Sequence, residues 1–252
     1  MTEKTEQTEQ TMLQGRRAVV EALRAGRPVD RVFVLRSGQN LADIIRAAKE
    51  AGAVVVECPR PTLDRMCPGG HHQGVAATVA AWEYAQPDDI FAAAEQKGEP
   101  LFLIVCDGVQ DEGNLGAIIR TAEVCGAHGV VIPKRRSAGL TPLTARSSAG
   151  AVEHIPVARV PGIPSFLREL RERGVWVYGA AGEASQNAFS TNFSGPAALV
   201  LGGEEDGLGR LAREECDALV ALPMKGLTGS LNVSCAAAVL MYEIARGRFW
   251  KE

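Results

Sequence analysis

The segment that decides the fold is "LFLIVCDGVQDEGNLGAIIR", residues 101–120. Residues 101–107 are mostly apolar and of strand type, a polar turn containing glycine follows, and apolar residues then recur at helical spacing. The alternation continues, with strands predicted at 129–133, 154–158, 175–181, 197–203 and 218–224 and helices at 114–127, 142–150, 163–174 and within 229–246. Strands that alternate with helices predict an α/β domain with a mostly parallel sheet covered on both faces.

The preceding residues predict a second, smaller α/β unit. Its predicted helices are 15–26 and 41–52, and its predicted strands are 31–35, 53–57 and 74–82. Residues 84–99 contain "AQPDD" and all of "EQKGEP" except its last residue, Pro100, and predict a linker with one short helix. Residues 1–14 begin with a polar, acidic stretch, which is typical of a disordered tail. We therefore expect a tail (1–14), a small domain (15–83), a linker (84–99) and a larger domain (100–252).

The composition is that of a globular protein without a strong overall charge. The chain has 252 residues, 46% hydrophobic and 23% charged, and a formal net charge of −3. Residues 15–83 carry ten Arg and Lys against seven Asp and Glu, so the positive excess lies in the small domain. The six cysteines form no C-x-x-C pair, and no apolar span of membrane length or signal peptide is present, so we expect a cytoplasmic protein with reduced thiols.

Polar residues follow three of the predicted strands. Asn114 lies at a helix start with Arg120 within two turns of it, Glu204 follows two glycines directly after a buried strand, and Ser230 and Asn232 precede an apolar helix. Each one alone is also explained by helix capping or by ordinary surface exposure. Parallel sheets bind ligands at the carboxyl ends of their strands, and none of the three turns has a dinucleotide-binding or P-loop pattern, so a different ligand is indicated.

The three motifs together resemble those of a known family. N-L-G-A-I-I-R-T-A (114–122), L-G-G-E-E-D-G-L (201–208) and L-P-M-x-G-x-x-x-S-L-N-V-S (222–234) resemble the motifs of the SpoU/TrmH family of RNA 2′-O-ribose methyltransferases. "GRRAVVEAL" and "HHQGVAA" resemble the L30e-like RNA-binding domain of its ribosomal branch, so the resemblance covers about 15–249. One departure is Gly203, where alanine is common in the family.

The resemblance implies a trefoil-knotted parallel-sheet (SPOUT) methyltransferase domain preceded by an L30e-like domain. It also implies S-adenosylmethionine as cofactor, no metal, a homodimer, and a guanosine of large-subunit (23S) ribosomal RNA as substrate. By motif, backbone around Gly202, Leu222 and Leu231 would form the cofactor pocket. The residues at the family's active-site positions are Asn114, Arg120, Glu204, Ser230 and Asn232.

The chemistry suggests a role for four of these residues. A guanidinium stays protonated, so we expect Arg120 to clamp a neighbouring phosphate and to stabilise developing alkoxide charge rather than to act as a base. Ser230 and Asn232 would orient the hydroxyl or the cofactor, and Glu204 would hold the motif loops and Arg120. In the small domain we expect basic residues to contact RNA phosphates. These residues are Arg16, Arg17, Arg24 and Arg36.

Three alternatives remain open at this stage. The substrate could be transfer RNA or another ribosomal site. The chain could instead be an RNA-binding module that has lost catalysis. A zinc site could form from two cysteines and two adjacent histidines, although their spacing is unlike the common zinc patterns. These residues are Cys58, Cys67, His71 and His72.

Overall fold

The computed structural model describes residues 10–249 except 28, 37–40, 70 and 81. A four-stranded sheet forms the N-terminal part, in the order β1-β4-β2-β3, with β2 and β3 parallel and β4 antiparallel to both of its neighbours. Its strands are β1 (Gln10–Gln14), β2 (Val29–Leu35), β3 (Val54–Cys58) and β4 (Val75–Ala80). Its helices are α1 (Arg16–Arg24), α2 (Ala42–Glu50) and α3 (Arg60–Met66).

The edge strand β1 corrects the prediction of a disordered tail over residues 1–14. Residues 10–14 pair with β4, with Leu13 opposite Ala77, and the Leu13 side chain is fully buried. The prediction is wrong for these residues because their strand state depends on a partner more than sixty residues away, which local composition does not reveal. Residues 1–9 lie outside the described residues.

The C-terminal part is a seven-stranded sheet, and every strand pair in it is parallel, so the predicted parallel sheet is confirmed. In the order β7-β6-β5-β10-β8-β11-β9, its strands are β7 (Val157–Val160), β6 (Gly129–Pro133), β5 (Phe102–Asp107), β10 (Ala197–Gly202), β8 (Trp176–Ala180), β11 (Ala218–Ala221) and β9 (Gln186–Asn187). Its helices are α4 (Pro87–Lys97), α5 (Glu112–Val124), α6 (Pro142–Ser147), α7 (Ile163–Glu172), α8 (Arg210–Glu214) and α9 (Val233–Phe249).

Helix α4 occupies the segment predicted to be a linker with a short helix. The Asp89 carboxylate accepts the backbone N–H of Gln86 at 2.8 Å at the start of the helix, and Gly98 ends the helix in a left-handed conformation. Ile90 and Ala94 are buried in the cluster that covers one face of the larger sheet. The segment therefore packs on the C-terminal sheet over most of its length.

Helix α5, which carries the first motif, packs very closely on α6. The Asp111 carboxylate caps α5 by accepting the N–H of Asn114 at 2.7 Å. A Cβ added to Gly116 would lie 2.5 Å from the Cβ of Ser147 and 2.6 Å from the carbonyl oxygen of Thr144. The glycine of this motif is thus required by helix-to-helix contact.

The Gly116→Ala variant is expected to lose about 2 kcal/mol of stability, because the added methyl group collides with the α6 backbone. Gly247→Ala is the matched control, since this glycine is also helical and an added Cβ there meets no atom within 4 Å. Because alanine has a higher helix propensity than glycine, Gly247→Ala should leave the free energy of unfolding unchanged or raise it by up to about 1 kcal/mol. Urea denaturation of both variants tests the prediction, and equal stability of the two would contradict it.

The two sheets are joined by a polar junction inside a continuous apolar cluster. The guanidinium of Arg27 lies 3.0 Å from the Glu153 carboxylate, and both side chains are buried. Trp82 donates its indole N–H to the same carboxylate at 3.0 Å and stacks under Arg27, and His154 contacts Glu21 at 2.8 Å. These contacts fix the small sheet to the larger domain. None of the described helices is long and apolar enough to cross a membrane.

Candidate active site

Three loops meet at the carboxyl edge of the larger sheet, after β5, β10 and β11. Strands β5 and β10 pair so that Asp107 lies opposite Gly202, and their loops therefore leave the sheet side by side. The Asp107 carboxylate accepts the N–H of Gly209 at 2.8 Å, which ties the second loop to the end of the first strand. The pattern of strand ends thus brings the predicted motifs together.

Glu204, Asn114 and Asn232 form a hydrogen-bonded hub that connects the three loops. Glu204 connects the first two loops. One carboxylate oxygen accepts the side-chain N–H of Asn114 at 2.9 Å and the backbone N–H of Asp111 at 3.3 Å. The other oxygen accepts the backbone N–H of Gln110 at 3.3 Å. The predicted role of Glu204 in holding the motif loops agrees with these contacts.

Asn232 joins the third loop to this hub. Its side-chain N–H donates to the Asn114 oxygen at 3.0 Å, while its own oxygen accepts the N–H of Ser234 at 2.9 Å and the Ser234 hydroxyl at 2.6 Å. Asn232 therefore caps α9 and belongs to the site at the same time. Of the five predicted active-site residues, three form one hydrogen-bonded chain, from Glu204 through Asn114 to Asn232.

Two glycines at the start of the second loop, Gly202 and Gly203, lie very close to the backbone of neighbouring chain segments. A Cβ on Gly202 would lie 2.1 Å from the Gly207 carbonyl carbon, and a Cβ on Gly203 would lie 2.7 Å from the Gly108 carbonyl oxygen. Gly203, the departure from the family pattern, thus fits a position where the chain segments are too close for alanine without a backbone shift.

Hydrogen bonding keeps the Glu204 carboxyl ionised. Its partial burial raises the pKa, but the Asn114 amide and the N–H groups of Gln110 and Asp111 stabilise the charged form and together bring the pKa below its ordinary value of 4.5. The site thus contains a fixed negative charge at physiological pH.

This shift predicts the pH dependence of the hub. Because the folded-state pKa is lowered, the stabilising contribution of Glu204 is present above its unfolded value and is lost as the pH falls through the folded value. The carboxyl carbon resonance of Glu204, assigned by its absence in Glu204→Gln, should titrate below 4.5. In Asn114→Ala the midpoint should rise. An unshifted midpoint in the parent protein would contradict the hydrogen-bond assignment.

A cavity of about 380 Å³ lies beside the hub, within the size range of small-molecule sites. Gly202, Leu222 and Leu231, the predicted cofactor residues, all line it, and so does Ser230. A second cavity of about 690 Å³ lies against the same turn, and Glu204 lines both. Two cavities that share one wall suit a transfer between two ligands.

Arg120 lies apart from this hub. Six helical positions separate it from Asn114, which places the two side chains about 120° apart around the helix axis. Arg120 instead lines a cavity of about 460 Å³ between the two sheets, together with Arg17 and Arg146. The expected contact between Glu204 and Arg120 is not found among the described residues. Arg146 had no sequence signal beyond being one basic residue near the end of a helix.

The zinc alternative has no support in the described residues. His72 accepts the Gly74 N–H at one ring nitrogen and contacts the Asp64 carboxylate at the other, at 2.9 Å each. Cys58 and Cys67 are buried in an apolar cluster. No group of three or more potential metal ligands occurs in this part of the chain.

Comparison with known families agrees with the fold and the motifs. The model of the SpoU rRNA Methylase family matches residues 101–242, and the model for RNA 2′-O ribose methyltransferase substrate binding matches residues 12–85. With its site at the carboxyl edge of a parallel sheet and a separate substrate-binding domain, the chain belongs to the SpoU family of RNA methyltransferases.

Individual relatives cover nearly the whole chain. A Bacillus subtilis protein named as a TrmH family tRNA/rRNA methyltransferase, YacO, is 46% identical over 237 residues, which are 93% of this chain and 94% of the relative. The SpoU methyltransferase AviRb from Streptomyces viridochromogenes, solved with S-adenosylmethionine, superposes with a TM-score of 0.80 at 25% identity, covering 94% of this chain and 89% of that one.

A cofactor-bound rRNA methyltransferase from Sinorhizobium meliloti superposes with a TM-score of 0.78 at 26% identity, covering 96% of this chain and 88% of that one. The protein is an S-adenosylmethionine-dependent RNA methyltransferase, as the sequence motifs predicted.

Proposed function

We propose that the protein methylates the ribose 2′-hydroxyl of a guanosine in 23S ribosomal RNA. The observation that carries the proposal is the chain of hydrogen bonds from Glu204 through Asn114 to Asn232, in which Glu204 also lines two cavities of ligand size. The ribosomal target is favoured by the substrate-binding domain and by the rRNA methyltransferase to which nearly all of the chain is similar. We expect the protein to act in the cytoplasm.

The cavity of about 380 Å³ fits the cofactor. Its Gly202 end is formed by backbone so closely packed that no Cβ is accommodated, and Leu222 and Leu231 supply apolar walls for an adenine ring. Glu205 and Asp206 place carboxylates on the same cavity, which suit a cationic ligand. The cofactor supplies an already activated methyl group, so the reaction needs no metal.

The chain itself must position the hydroxyl and favour loss of its proton. We expect Asn232 and Ser230, of which Ser230 lines the cofactor cavity, to orient the hydroxyl or the cofactor, while Glu204 keeps Asn114 and Asn232 in place. Fixed geometry of this kind lowers the barrier of a displacement reaction by aligning the reacting groups in advance. Arg120 would hold the phosphate next to the target and stabilise charge that develops on the oxygen.

We further propose that the protein works as a homodimer. Helix α9 buries Leu240, Met241 and Ile244 but leaves Val239 and Tyr242 exposed, by 39% and 46%. Exposed apolar side chains on one helix favour a protein partner, and a second copy of the chain is the partner that the family resemblance implies.

The proposed function is tested by tritium transfer from S-adenosylmethionine to unmodified 23S RNA, with unmodified transfer RNA as comparison. We expect close to one methyl group per 23S molecule, located at a guanosine ribose by alkaline-resistance mapping. Calorimetry should show cofactor binding in the presence of EDTA. Labelling of transfer RNA alone would overturn the ribosomal target, and activity that EDTA abolishes and zinc restores would overturn the metal-free reaction.

A further inference from the structure

The cavity between the two sheets contains a concentration of positive charge. Arg17 from the small domain and Arg120 and Arg146 from the large domain line the same space of about 460 Å³. Over the described part of the chain, none of these three side chains has a hydrogen bond or ion pair. Among the described residues, no aspartate or glutamate lines the cavity. Arginines gathered in this way repel one another unless an anion lies between them.

The walls of this cavity are held in an unusual backbone conformation. Only three non-glycine residues of the described chain have positive φ, and two of them, Gln73 (φ 51°) and Ala149 (φ 53°), line the cavity. Such conformations cost free energy in residues with a side chain, and they concentrate at binding sites and active sites. This observation is independent of the charge and indicates a site with a defined shape.

Contacts on both sides keep the cavity in shape. Arg16 donates from its side chain to the Gln73 carbonyl oxygen at 3.1 Å, which holds one wall. On the other side Gly150 packs against Glu21 of the small domain, and the buried pair of Arg27 and Glu153 fixes the junction. The three arginines are therefore presented by a preorganised junction rather than by a loose surface.

We propose that Arg17, Arg120 and Arg146 together bind one phosphate group of the RNA substrate strand, next to the target nucleotide. This inference rests on the proposed function. The planar guanidinium group matches a phosphate in geometry as well as in charge, and the described residues that line the cavity include no competing carboxylate. Arg120 lies about 9 Å along the axis of α5 from Asn114 and about 120° around it, so a phosphate bound there lies beside the hydrogen-bonded hub and not within it.

The proposed phosphate site is formed by residues of both domains. One phosphate held by both domains links RNA binding in the small domain to the catalytic edge of the larger sheet. Arg17 and Arg146 therefore act as positioning residues that determine affinity for RNA, whereas we expect Arg120, at an active-site position of the first motif, to act on the reaction as well. Removal of Arg146 should accordingly change the KM for RNA more than kcat.

The test measures single-site methylation of unmodified 23S RNA by the full-length protein over a range of salt concentrations. Arg17→Ala and Arg146→Ala should each raise the KM for RNA about tenfold and leave kcat within about twofold. Each should also lower the slope of log affinity against log salt, but by less than the value of about 0.7 to 0.9 for a whole phosphate contact, because the other two arginines still bind the shared phosphate. Cofactor affinity should be unchanged, which shows that the variants are folded.

Arg65→Ala is the matched control, because Arg65 is an exposed arginine of the same small domain outside the cavity. It should keep the parental KM and salt slope. If the two arginines share one phosphate, the double variant Arg17→Ala/Arg146→Ala should lose less affinity than the product of the two single losses. Fully multiplicative losses would overturn the single shared phosphate.

Parental KM and salt slope in Arg146→Ala would overturn the site altogether. Absence of methylation of 23S RNA by the parent protein, with normal cofactor binding, would instead overturn the proposed substrate. The two failures are therefore distinguishable.

Discussion

Arg120→Ala is expected to slow methyl transfer in a single turnover by about a hundredfold or more, with little change in cofactor affinity. A charge that acts on the developing alkoxide stabilises the transition state, and the loss of one such group typically has an effect of this size. Cofactor affinity should be preserved because Arg120 lines the cavity between the sheets and not the cavity that contains Gly202 and Leu222.

Arg120→Lys separates two possible roles of the guanidinium. If Arg120 were a base, a lysine with a pKa near about 10.4 would retain or gain activity as the pH rises. If Arg120 clamps a phosphate, lysine keeps the charge but loses the two-pronged geometry, and the variant should stay impaired from about pH 7 to 10. Single-turnover rates across this range decide between the roles, and parental rates in Arg120→Ala would remove the residue from the mechanism.

The alternation of apolar strands and helices was sufficient to predict the parallel sheet. Each core strand of the larger domain, such as 102–107 or 197–202, is buried over nearly its whole length and is recognisable from its own residues. Strand β1 and the two-residue strand β9 depend on partners elsewhere in the chain, so local sequence did not predict them. A trefoil knot has no signature in periodicity and was expected only from the family resemblance.

The candidate site was predictable where residues lie at strand ends. Glu204, Asn114 and Asn232 each follow a strand of one parallel sheet, and they meet because all carboxyl ends share an edge. The position of Arg120 was not predictable in this way, because the direction of its side chain depends on its angular position around helix α5 relative to Asn114. Arg146 joins it only through the packing of α6 on α5 and of β1 on α6, which are contacts between distant segments.

The buried ion pair at the junction should be the most sensitive position for stability. Glu153→Ala is expected to lower the free energy of unfolding by about 3 kcal/mol or more, because removing one partner leaves a buried charge without its counterion. Burial lowers the pKa of Arg27 and Glu153 raises it, so the carboxylate is what keeps this buried guanidinium favourable. Trp82 would lose its acceptor as well.

Asp43→Ala is the control for the loss of an ion pair, because Asp43 and Arg46 are exposed by 89% and 70% and such surface pairs contribute less than about 1 kcal/mol. Urea denaturation followed by circular dichroism compares the two variants, and a loss below about 1 kcal/mol in Glu153→Ala would contradict the prediction. Glu153→Ala should also raise the KM for RNA at temperatures where the variant remains folded. The reason is that a loosened junction no longer holds Arg17 of the small domain opposite Arg120 and Arg146.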